Sequence, residues 1–557
     1  MRKRDRLDKP ETFLHAGSRT MIAENLSMAL REWREALGAD QVLDQPSERA
    51  AYEANVSGLR RSIPAVLRPS DTGQVRRIVE IANARDIPLY PISRGHNWGL
   101  GSRLPPRDGT VIVDLSRLNR IRAVNARYHY AVVEPGVTQR QLYEHLRQQG
   151  LALQLNVTGS AADTSLIGNA LERGIGYFSS KADSLSGMEI VLGNGSVLRT
   201  GFGHYASALT PHLYRHGIGP ALDGLFFQSN FGIVTSAAVD LRPVPAAGMV
   251  LIARIKREEH LAPFVEALTE LRRDGVLTAV AHIGNRHRTR IAMAPLVYRE
   301  LSTWMKAPEA ERRRTAEHLL EQQGFGPWSA VAGIPGLPGQ LREARGLIRR
   351  RLRGLCRPLF MTDRVLSWAD RLSSRLTWIP WVRRQRAILK AAEPLYGLAR
   401  GVPTDAPMLS VSWPLGQNSS SERDDPDQGH CGLLYCVPFL PAEGARVREG
   451  MDLTTLVFEK HGFTPFVTLN LVDDRAMECV INLAFDRNSA ERTAAAHACN
   501  DELTREFIRR GFPPYRVGSQ SMDLILDESD SFWQTARDLK SVLDPNGIIA
   551  PGRYNLR

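Results

Sequence analysis

The amino-acid sequence predicts an α+β protein built from two large units, and three observations lead to this prediction. The chain has 557 residues, which is long for a single hydrophobic core. Its first half combines strand–helix–strand segments with hairpins, a mixture typical of α+β folds. From about residue 247 long helical stretches separate the strands, so we expect a second unit or a large insertion to begin there.

Start and stop signals define the first strand–helix–strand segment. We expect residues 1–20 to form a loose leader, followed by an amphipathic helix that ends at Gly38. The run PAVLRP is a predicted strand, and Ser70 and Asp71 can cap a helix that extends to about Arg85. The next strand is then IPLYPIS.

Similar signals continue to about residue 245. Thr138 is predicted to cap the helix QRQLYEHLRQQ, with Gln141 in the capping-box position and Gly150 as the stop. The segment GMEIVLGNGSVLRTG predicts a hairpin, because two apolar runs flank a Gly-Asn-Gly turn. A strand in GIVTSAAVDLRPVP closes this half of the chain near Pro245.

The second half contains strands of stronger apolar character. We predict strands in MVLIARIK and TAVAHIGN, a second hairpin formed by FVTLNLVDD and AMECVINLAFD, and one helix over residues 490–510. Residues 341–400 are rich in arginine and have a helical pattern.

Composition indicates a soluble enzyme of a reducing compartment. No run of roughly 20 apolar residues could span a bilayer, and the N-terminus lacks the apolar core of a secretory signal, so we expect a cytoplasmic protein. Five cysteines, an odd number, argue against a disulfide framework. Cys431 and Cys436 lack a second pair at zinc-like spacing, and we therefore expect no metal site.

The positive charge is concentrated in one segment. The net charge is +12, and residues 341–390 carry fourteen Arg or Lys against three acidic residues, which is +11. Because the rest of the chain is close to neutral, nucleic acid is not the expected partner. The segment itself is a candidate docking surface for an acidic partner or an anionic membrane, which would add membrane association to the cytoplasmic location.

A glycine-rich loop, PISRGHNWGLGS over residues 91–102, follows a predicted strand. Glycines let backbone N–H groups converge on an anion without obstruction by Cβ atoms. The loop lacks the Gly-Lys-Ser/Thr of a mononucleotide P-loop, and no helix can begin at the Arg-Leu-Pro-Pro that follows, so it is not a nicotinamide-binding turn. An ordinary hairpin loop remains an alternative at this point.

Three more segments, at residues 165–201, 217–243 and 541–555, decide between these alternatives. Together with the loop they resemble, in the expected order, the vanillyl-alcohol oxidase/p-cresol methylhydroxylase family of FAD enzymes. The resemblance implies an α+β fold with a two-subdomain FAD-binding domain of the p-cresol methylhydroxylase (PCMH) type and an inserted α+β cap domain. The implied division is 1–50 leader and helix, 51–246 FAD-binding domain, 247–505 cap, and 506–557 a segment that returns to the FAD-binding domain.

The resemblance also implies which residues hold FAD. The loop is similar to the family's diphosphate-binding loop, "GNALERGIGY" to its second flavin-contacting stretch, and residues 232–234 to its adenine-side strand. The implied cofactor-binding residues are Ser93, Arg94, Gly95, His96, Asn97, Gly99, Ser165, Gly168, Asn169, Gly174, Gly176, Gly232, Ile233, Val234 and Arg553.

Two histidines are candidates for a covalent bond to the flavin. The SRGHN of this loop is similar to a superfamily variant in which the histidine is bonded to the flavin, which points to His96. The vanillyl-alcohol branch instead uses a His or Tyr of the cap, which makes His430 the rival. A histidine that only hydrogen-bonds phosphate or flavin is the third interpretation of His96.

Catalytic candidates also follow from the resemblance. The segment GFPPYR is similar to the family segment that supplies a Tyr-Arg pair to hold a phenolate, here Tyr515 and Arg516. The second tyrosine of that clamp is replaced by Leu100, and Ser160 occupies the place of a carboxylate found in some members. Asp163, three residues further on, is a weak substitute for it.

The implied activity is an FAD-dependent oxidation. Hydride is removed from a benzylic-type or hydroxymethyl carbon of a phenolic, aromatic or other small alcohol or amine, and oxygen or an electron-transfer protein reoxidises the flavin. Because Leu100 replaces the second tyrosine of the phenolate clamp, substrates larger than para-alkylphenols are also compatible with the sequence. The alternative is a protein with the flavin fold that acts by docking through residues 341–390. We also expect a homo-oligomer.

Within the Arg-rich segment, residues 361–376 predict an amphipathic helix. Its apolar stripe contains Met361, Val365, Trp368, Leu372 and Leu376, and three arginines share another face. Two interpretations remain open here. The stripe packs into the cap and the arginines are solvated, or the helix is part of a docking surface.

Overall fold

The computed structural model describes residues 16–416 and 425–556, which form three β-sheets with helices packed around them. The mixed helix-and-sheet class predicted from the sequence is confirmed. The predicted leader falls largely outside the described residues, and the first helix already begins at Ala16, within the stretch expected to be loose.

The first sheet has four strands in the order β1-β2-β4-β3, with β2, β4 and β3 parallel. The predicted cap of the neighbouring helix α3 is confirmed, because the Asp71 carboxylate accepts the Gln74 backbone N–H at 2.9 Å. The helix ends at Arg85, where Asp86 adopts a left-handed φ of 53°. The strands are β1 (Val42–Leu43), β2 (Val66–Leu67), β3 (Leu89–Ile92) and β4 (Val111–Asp114).

The second sheet is antiparallel and follows the order β5-β6-β10-β8-β9, with β7 beside β10. It contains the hairpin predicted in residues 187–201, which the structure forms from Leu185–Leu192 and Val197–Arg199. Thr138 caps α4 as expected, accepting the Gln141 N–H at 3.1 Å. The Gln141 side chain does not complete a capping box; it donates instead to the Asn119 carbonyl. The strands are β5 (Ile121–Asn125), β6 (Tyr130–Val133), β7 (Leu153–Leu155), β8 (Leu185–Leu192), β9 (Val197–Arg199) and β10 (Gly232–Pro243).

The third sheet is antiparallel and has the order β14-β11-β13-β12-β17-β18-β15, with β16 beside β18. One face carries the largest hydrophobic core, which includes Ile283, Leu469, Cys479 and Ile481. The second predicted hairpin is confirmed as β17 and β18. The strands are β11 (Ala247–Ile255), β12 (Ala281–Asn285), β13 (Trp328–Gly336), β14 (Leu359–Met361), β15 (Cys431–Cys436), β16 (Phe439–Pro441), β17 (Phe466–Leu471) and β18 (Ala476–Asp486).

Helices cover the sheets and connect them. In the described residues the α-helices are α1 (Ala16–Leu37), α2 (Pro46–Arg49), α3 (Thr72–Arg85), α4 (Gln139–Gln148), α5 (Leu166–Leu171), α6 (Leu261–Arg273), α7 (Arg286–Ser302), α8 (Glu309–Gln322), α9 (Pro338–Arg351), α10 (Asp363–Arg375), α11 (Pro380–Leu398), α12 (Leu409–Ser412), α13 (Gly444–Lys460), α14 (Ala490–Arg509) and α15 (Ser531–Leu543). None of the helices in the described ranges is long and apolar enough to cross a bilayer.

The C-terminal segment returns to the first sheet. Leu89 of β3 donates its N–H to the Ile548 carbonyl at 2.7 Å, and its own carbonyl accepts the N–H of Ala550. A buried lysine fixes this return, because the Lys540 ammonium donates to Asp544 and to the Ile549 carbonyl. Residues at both ends of the chain therefore surround the loop that follows β3.

Candidate functional site

The glycine-rich loop after β3 forms one wall of an elongated cavity. Gly95 has a left-handed φ of 69°, and a Cβ there would lie 3.1 Å from the Cβ of Arg103. A residue with a side chain would therefore be strained at this position and crowded by Arg103. The predicted residues that line this cavity are Ser93, Arg94, Gly95, His96, Asn97, Ser165, Gly168, Asn169, Gly232, Ile233, Val234 and Arg553, together with Arg516.

A short helix, α5, forms the opposite wall. The Ser165 hydroxyl accepts the Gly168 N–H at 2.9 Å and donates to the Pro135 carbonyl at 2.6 Å, which fixes the first turn. A Cβ on Gly168 would lie only 2.1 Å from the Ser93 hydroxyl oxygen. The missing side chain therefore allows α5 to approach the loop closely, which keeps the cavity narrow.

His96 lies inside the cavity and stacks on Trp98, with ring centroids 4.6 Å apart and an interplanar angle of 16°. Burial, assisted by the charge of Arg94, lowers the pKa of His96 to about 4, so its imidazole is neutral at pH 7. Its Nδ1 atom is buried and has no hydrogen-bond partner within the described ranges.

An ion pair between Arg553 and Glu172 lies in the same cavity. The Arg553 guanidinium donates to the Glu172 carboxylate at 2.8 Å, and only about 5% of Arg553 is exposed. One guanidinium nitrogen of Arg553 and one carboxylate oxygen of Glu172 have no partner among the residues that the structure describes. Both a donor and an acceptor are thus available to a ligand.

The predicted Tyr-Arg pair lies next to this cavity. Arg516 donates to the Asn97 side-chain oxygen at 2.7 Å and so connects the C-terminal segment to the loop. Tyr515 is half-buried, and its carbonyl accepts a hydrogen bond from the Gln228 side chain at 2.8 Å. The sequence prediction therefore identified two residues that the fold brings to the loop from more than 400 positions away.

Glu478 is a further site residue that the sequence analysis missed. It lies on β18 opposite Asn470 of β17, which in turn lies opposite His282 of β12. Residues that alternate with these three along the strands, such as Leu469 and Cys479, are in the core. Polar residues at every second position of otherwise apolar strands were the available sequence signal.

This polar row of the third sheet meets the first half of the chain. The His282 ring packs against Tyr177 with centroids 4.3 Å apart, and its Nδ1 hydrogen-bonds the Asn470 side chain at 2.6 Å. On the neighbouring strand pair, Tyr435 of β15 lies opposite Asn482 of β18. Tyr435 also contacts the glycine-rich loop, because its N–H donates to the Gly99 carbonyl at 3.1 Å.

Burial controls the protonation of the groups beside Arg516. It raises the pKa of Glu478 to about 8, although the charge of Arg516 acts in the opposite direction. One carboxylate oxygen of Glu478 has no hydrogen-bond partner among the described residues. The pKa of Tyr515 is also raised, first by burial and then by the charge of Glu478. The site therefore combines a permanent cation with a carboxyl group that is largely neutral at pH 7.

Five other predicted residues have different surroundings from those expected. Asp163 is half-buried, with 39% of its side chain exposed, forms an ion pair with Arg140 at 3.0 Å and is not part of the cavity lining. Gly174 and Gly176 make room for asparagine side chains, because Cβ atoms there would lie about 2 Å from the Asn169 and Asn156 side-chain oxygens. The absent side chains thus make room for neighbouring asparagines, of which Asn169 lines the cavity and Asn156 does not.

His430 and Gly99 complete this comparison. His430 is exposed and lies near the Asn488 side chain, at 3.3 Å, and not in the cavity. The absent side chain of Gly99 allows the backbone to lie close to the Tyr435 ring and not to a ligand. Leu100, which occupies the place of the second clamp tyrosine, is buried.

Comparisons with known proteins agree with this geometry. Residues 63–201 match a family model described as an FAD binding domain. The chain is 32% identical over 544 residues to 1'-carboxy-chondrochloren decarboxylase from Chondromyces crocatus, which covers 96% of this chain and 98% of that protein. This protein belongs to the vanillyl-alcohol oxidase/p-cresol methylhydroxylase family. Like other members it is an FAD-linked oxidoreductase, and its cofactor is FAD.

Two further members of the family support the assignment. The chain is 27% identical over 544 residues to the flavoprotein subunit of 4-cresol dehydrogenase [hydroxylating] from Pseudomonas putida, covering 95% of each protein. The crystal structure of p-cresol methylhydroxylase with substrate bound superimposes with a TM-score of 0.80 at 26% identity, covering 96% of this chain and 98% of that one. The PCMH-type fold is thereby confirmed.

The cavity fits FAD in its hydrogen-bonding capacity. Its buried atoms without a partner among the described residues include donors on Arg553 and Arg516 and acceptors on Asn169 and Glu172. A cofactor that carries both a diphosphate and hydroxyl groups can satisfy both kinds. FAD when bound supplies the acceptor for two electrons and a hydride.

We expect Arg553→Met to weaken FAD binding. The substitution removes a cation from the cavity and leaves the Glu172 carboxylate without its partner, facing an anionic ligand. Since a hydrogen bond to a charged group contributes about 1.5–3 kcal/mol, the dissociation constant of FAD should rise about 10- to 150-fold. Fluorescence titration with FAD measures this change when both proteins also carry His96→Ala, so that the cofactor binds reversibly and can be removed beforehand.

Arg505→Met is the matched control, because Arg505 is more than half exposed and pairs with Asp501 on the surface of α14. It should bind FAD as the wild type does. Equal FAD affinities of Arg553→Met and the wild type would contradict the assignment of Arg553 to the cofactor site.

Proposed function

We propose that this FAD-dependent oxidoreductase removes a hydride from a benzylic-type or hydroxymethyl carbon of a phenolic, aromatic or other small alcohol or amine substrate. The observation that carries the proposal is the grouping of Tyr515, Arg516 and Glu478 beside the FAD cavity. FAD supplies the hydride acceptor at its N5 atom. Side chains of this protein bind the substrate oxygen and accept the proton that the substrate loses.

Arg516 and Tyr515 hold the oxygen atom of the substrate. The guanidinium is always charged, so it stabilises negative charge that develops on that oxygen, and the Tyr515 hydroxyl donates a hydrogen bond to it. Both residues are half-buried, so water screens these interactions less than it would at a fully exposed site. Leu100 contributes no hydroxyl, which leaves room on that side for substrates larger than simple para-alkylphenols.

Glu478 accepts the proton that the substrate hydroxyl loses. Its buried carboxylate oxygen without a protein partner provides the acceptor, and its raised pKa makes it a stronger base than an exposed glutamate. The neighbouring Arg516 guanidinium stabilises the negative charge that develops on the substrate oxygen. This role replaces the one that the sequence suggested for Asp163.

A second candidate is the oxidative removal of a carboxyl group as CO₂ from an aryl-linked acid. Two observations favour it: the relative from Chondromyces crocatus is named a decarboxylase, and a second guanidinium lies near the site. Arg288 is in the first turn of α7, its charge acts on Tyr435 and His282, and one of its nitrogens is buried without a partner among the described residues. Arg288 would hold the carboxylate until the carbon–carboxyl bond breaks.

Anaerobic mixing of the oxidised protein with a substrate panel tests both candidates. The panel contains para-alkylphenols, aryl alcohols, aryl amines and the corresponding aryl acetic or propionic acids. Bleaching of the flavin absorbance by an alcohol, phenol or amine supports hydride removal, whereas bleaching by an acid with release of CO₂ supports the second candidate. A flavin that no member of the panel reduces would contradict both.

We expect Glu478→Gln to change the pH dependence of flavin reduction. In the wild type the rate should rise with pH towards a plateau above pH 8, because the carboxylate form of Glu478 accumulates as the pH passes its pKa of about 8. The variant should be slower by about a hundredfold or more and should lack this step. Stopped-flow absorbance under anaerobic conditions measures both effects.

A stability measurement separates this role from a structural one. The pKa of Glu478 is raised on folding, so the unfolded chain releases its proton first and wild-type stability should fall as the pH rises from about 4.5 to about 8. Glu478→Gln should remove that part of the fall. Glu459→Gln, at an exposed position of α13, is the control and should alter neither profile; a retained rate step in Glu478→Gln would exclude the base role.

FAD is proposed to be bonded covalently to His96. The support is a neutral imidazole inside the FAD cavity whose Nδ1 atom has no protein partner among the described residues. His430, the rival, is exposed and outside the lining of the cavity. A nitrogen lone pair that no hydrogen bond occupies is available to form the bond.

His96→Ala should therefore release the flavin on acid precipitation, whereas the wild type and His430→Ala should retain it. Absorbance of the supernatant and the intact mass of the denatured protein measure the two fractions. Flavin that remains attached in His96→Ala but not in His430→Ala would assign the bond to His430.

The remaining proposals concern organisation and partners. We propose the boundaries 51–246 for the FAD-binding domain, 247–505 for the cap and 506–557 for the returning segment, supported by the end of β10 at Pro243 and the start of β11 at Ala247. Oxygen or an electron-transfer protein is the proposed acceptor, and a homo-oligomer in the cytoplasm the proposed state. Residues 341–390 are the proposed surface for an external partner.

A further inference from the structure

The helix α10 contributes no buried residue to the protein. Along it Val365, Trp368 and Leu372 are all exposed, although their spacing is that of an apolar stripe that would ordinarily pack inward. The interpretation in which this stripe packs into the cap is therefore wrong for these three side chains. The helix is held from its other side by α11, whose Ala387 and Ala391 enter a core.

Exposed tryptophans are confined to this part of the molecule. In the described ranges the exposed ones are Trp368, Trp378 and Trp381, which are 67%, 76% and 68% exposed. Other tryptophans, such as Trp33 and Trp413, are buried. Three exposed indole rings within fourteen residues of sequence place a large apolar area in water, which is unfavourable on a surface without a binding partner.

Arginines without an ion pair accompany the tryptophans. No carboxylate of the described residues pairs with Arg364, Arg371, Arg375 or Arg384, and all four are exposed. We call the surface formed by Arg364, Trp368, Arg371, Arg375, Trp378, Trp381 and Arg384 the basic tryptophan face.

The acidic residues of the same helix do not reduce this charge. Asp363 accepts from the Tyr396 hydroxyl at 2.6 Å and pairs with Arg400 at 3.2 Å. Asp370 pairs with Arg386 at 2.8 Å and with Lys390 at 3.1 Å. Both carboxylates are therefore neutralised by cations of the cap, and the unpaired arginines give the outer surface a single sign.

We propose that the basic tryptophan face docks this protein on the surface of an anionic membrane. Indole rings favour the boundary between headgroups and acyl chains, because one end of the ring is apolar and the other donates a hydrogen bond. Arginine side chains beside them can extend to lipid phosphates. Helix α10 would lie in the plane of the interface and not across it.

Charge argues against a second copy of the chain as the occupant. A symmetric dimer through this face would bring the same unpaired arginines opposite one another. The repulsion has no compensating carboxylate, because Asp363 and Asp370 are already paired within the chain. An anionic lipid surface provides both the negative charge and the apolar layer that the tryptophans need.

Vesicle flotation with the FAD-loaded full chain tests this proposal. Vesicles of phosphatidylcholine with about 30 mol% phosphatidylglycerol should bind the protein at about 0.05 M salt, and pure phosphatidylcholine vesicles should bind it much less. Arg371→Glu with Arg375→Glu should weaken binding about 30-fold or more, at about 1 kcal/mol for each arginine lost from the surface.

Two further variants make the test specific. Arg31→Glu with Arg127→Glu changes the net charge equally at exposed positions of α1 and of the turn after β5, and it should bind vesicles like the wild type. Trp378→Ser with Trp381→Ser keeps every arginine but should also weaken binding. Flavin absorbance and the melting temperature of each variant verify that it is folded.

Three results would overturn the proposal. The first is a wild-type protein that does not float with anionic vesicles at low salt. The second is equal binding by the basic-face variant and the Arg31/Arg127 control. The third is a native oligomer that dissociates in the basic-face variant, which would assign the face to contacts between copies of the chain.

Discussion

The contact between Gly99 and Tyr435 determines how the glycine-rich loop meets the third sheet. Gly99 has a left-handed φ of 79°, and a Cβ there would lie 2.8 Å from the Tyr435 ring. The Tyr435 N–H donates to the Gly99 carbonyl, and nearby the Leu433 N–H donates to Val56. The backbones of two distant segments are therefore in direct contact, and any side chain at position 99 would separate the loop from the sheet.

This contact is linked through strand pairing to the position of Glu478, the proposed base. Tyr435 lies opposite Asn482 on β18, and Glu478 follows four residues earlier on the same face of that strand. Because side chains alternate between the faces of a strand, a shift of one residue would move Glu478 into the core and Cys479 towards Arg516. The position of the proposed base thus depends on a glycine in the cofactor loop.

Local signals in the sequence were sufficient for much of the fold, whereas the predicted cofactor-binding residues depended on the resemblance to a family. Asp71 and Thr138 were identified as helix caps because the relevant hydrogen bonds span only three residues. The role of Glu478 could not be found in this way, since its burial and its proximity to Arg516 arise from strand pairing and chain return. The exposure of His430 is likewise a tertiary property that no neighbouring residue indicates.

The positive charges of this protein fall into two groups that differ in location and in exposure to solvent. Beside the FAD cavity the cations are few; the buried Arg553 is held by Glu172 and the half-buried Arg516 by Asn97. On the outer side of the cap, arginines such as Arg371 are numerous, exposed and unpaired with any described carboxylate. Solvent screens the second group strongly and the first group weakly. Added salt should therefore affect any association through the cap far more than cofactor binding, because the net charge of +12 comes almost entirely from residues 341–390 and not from the cavity.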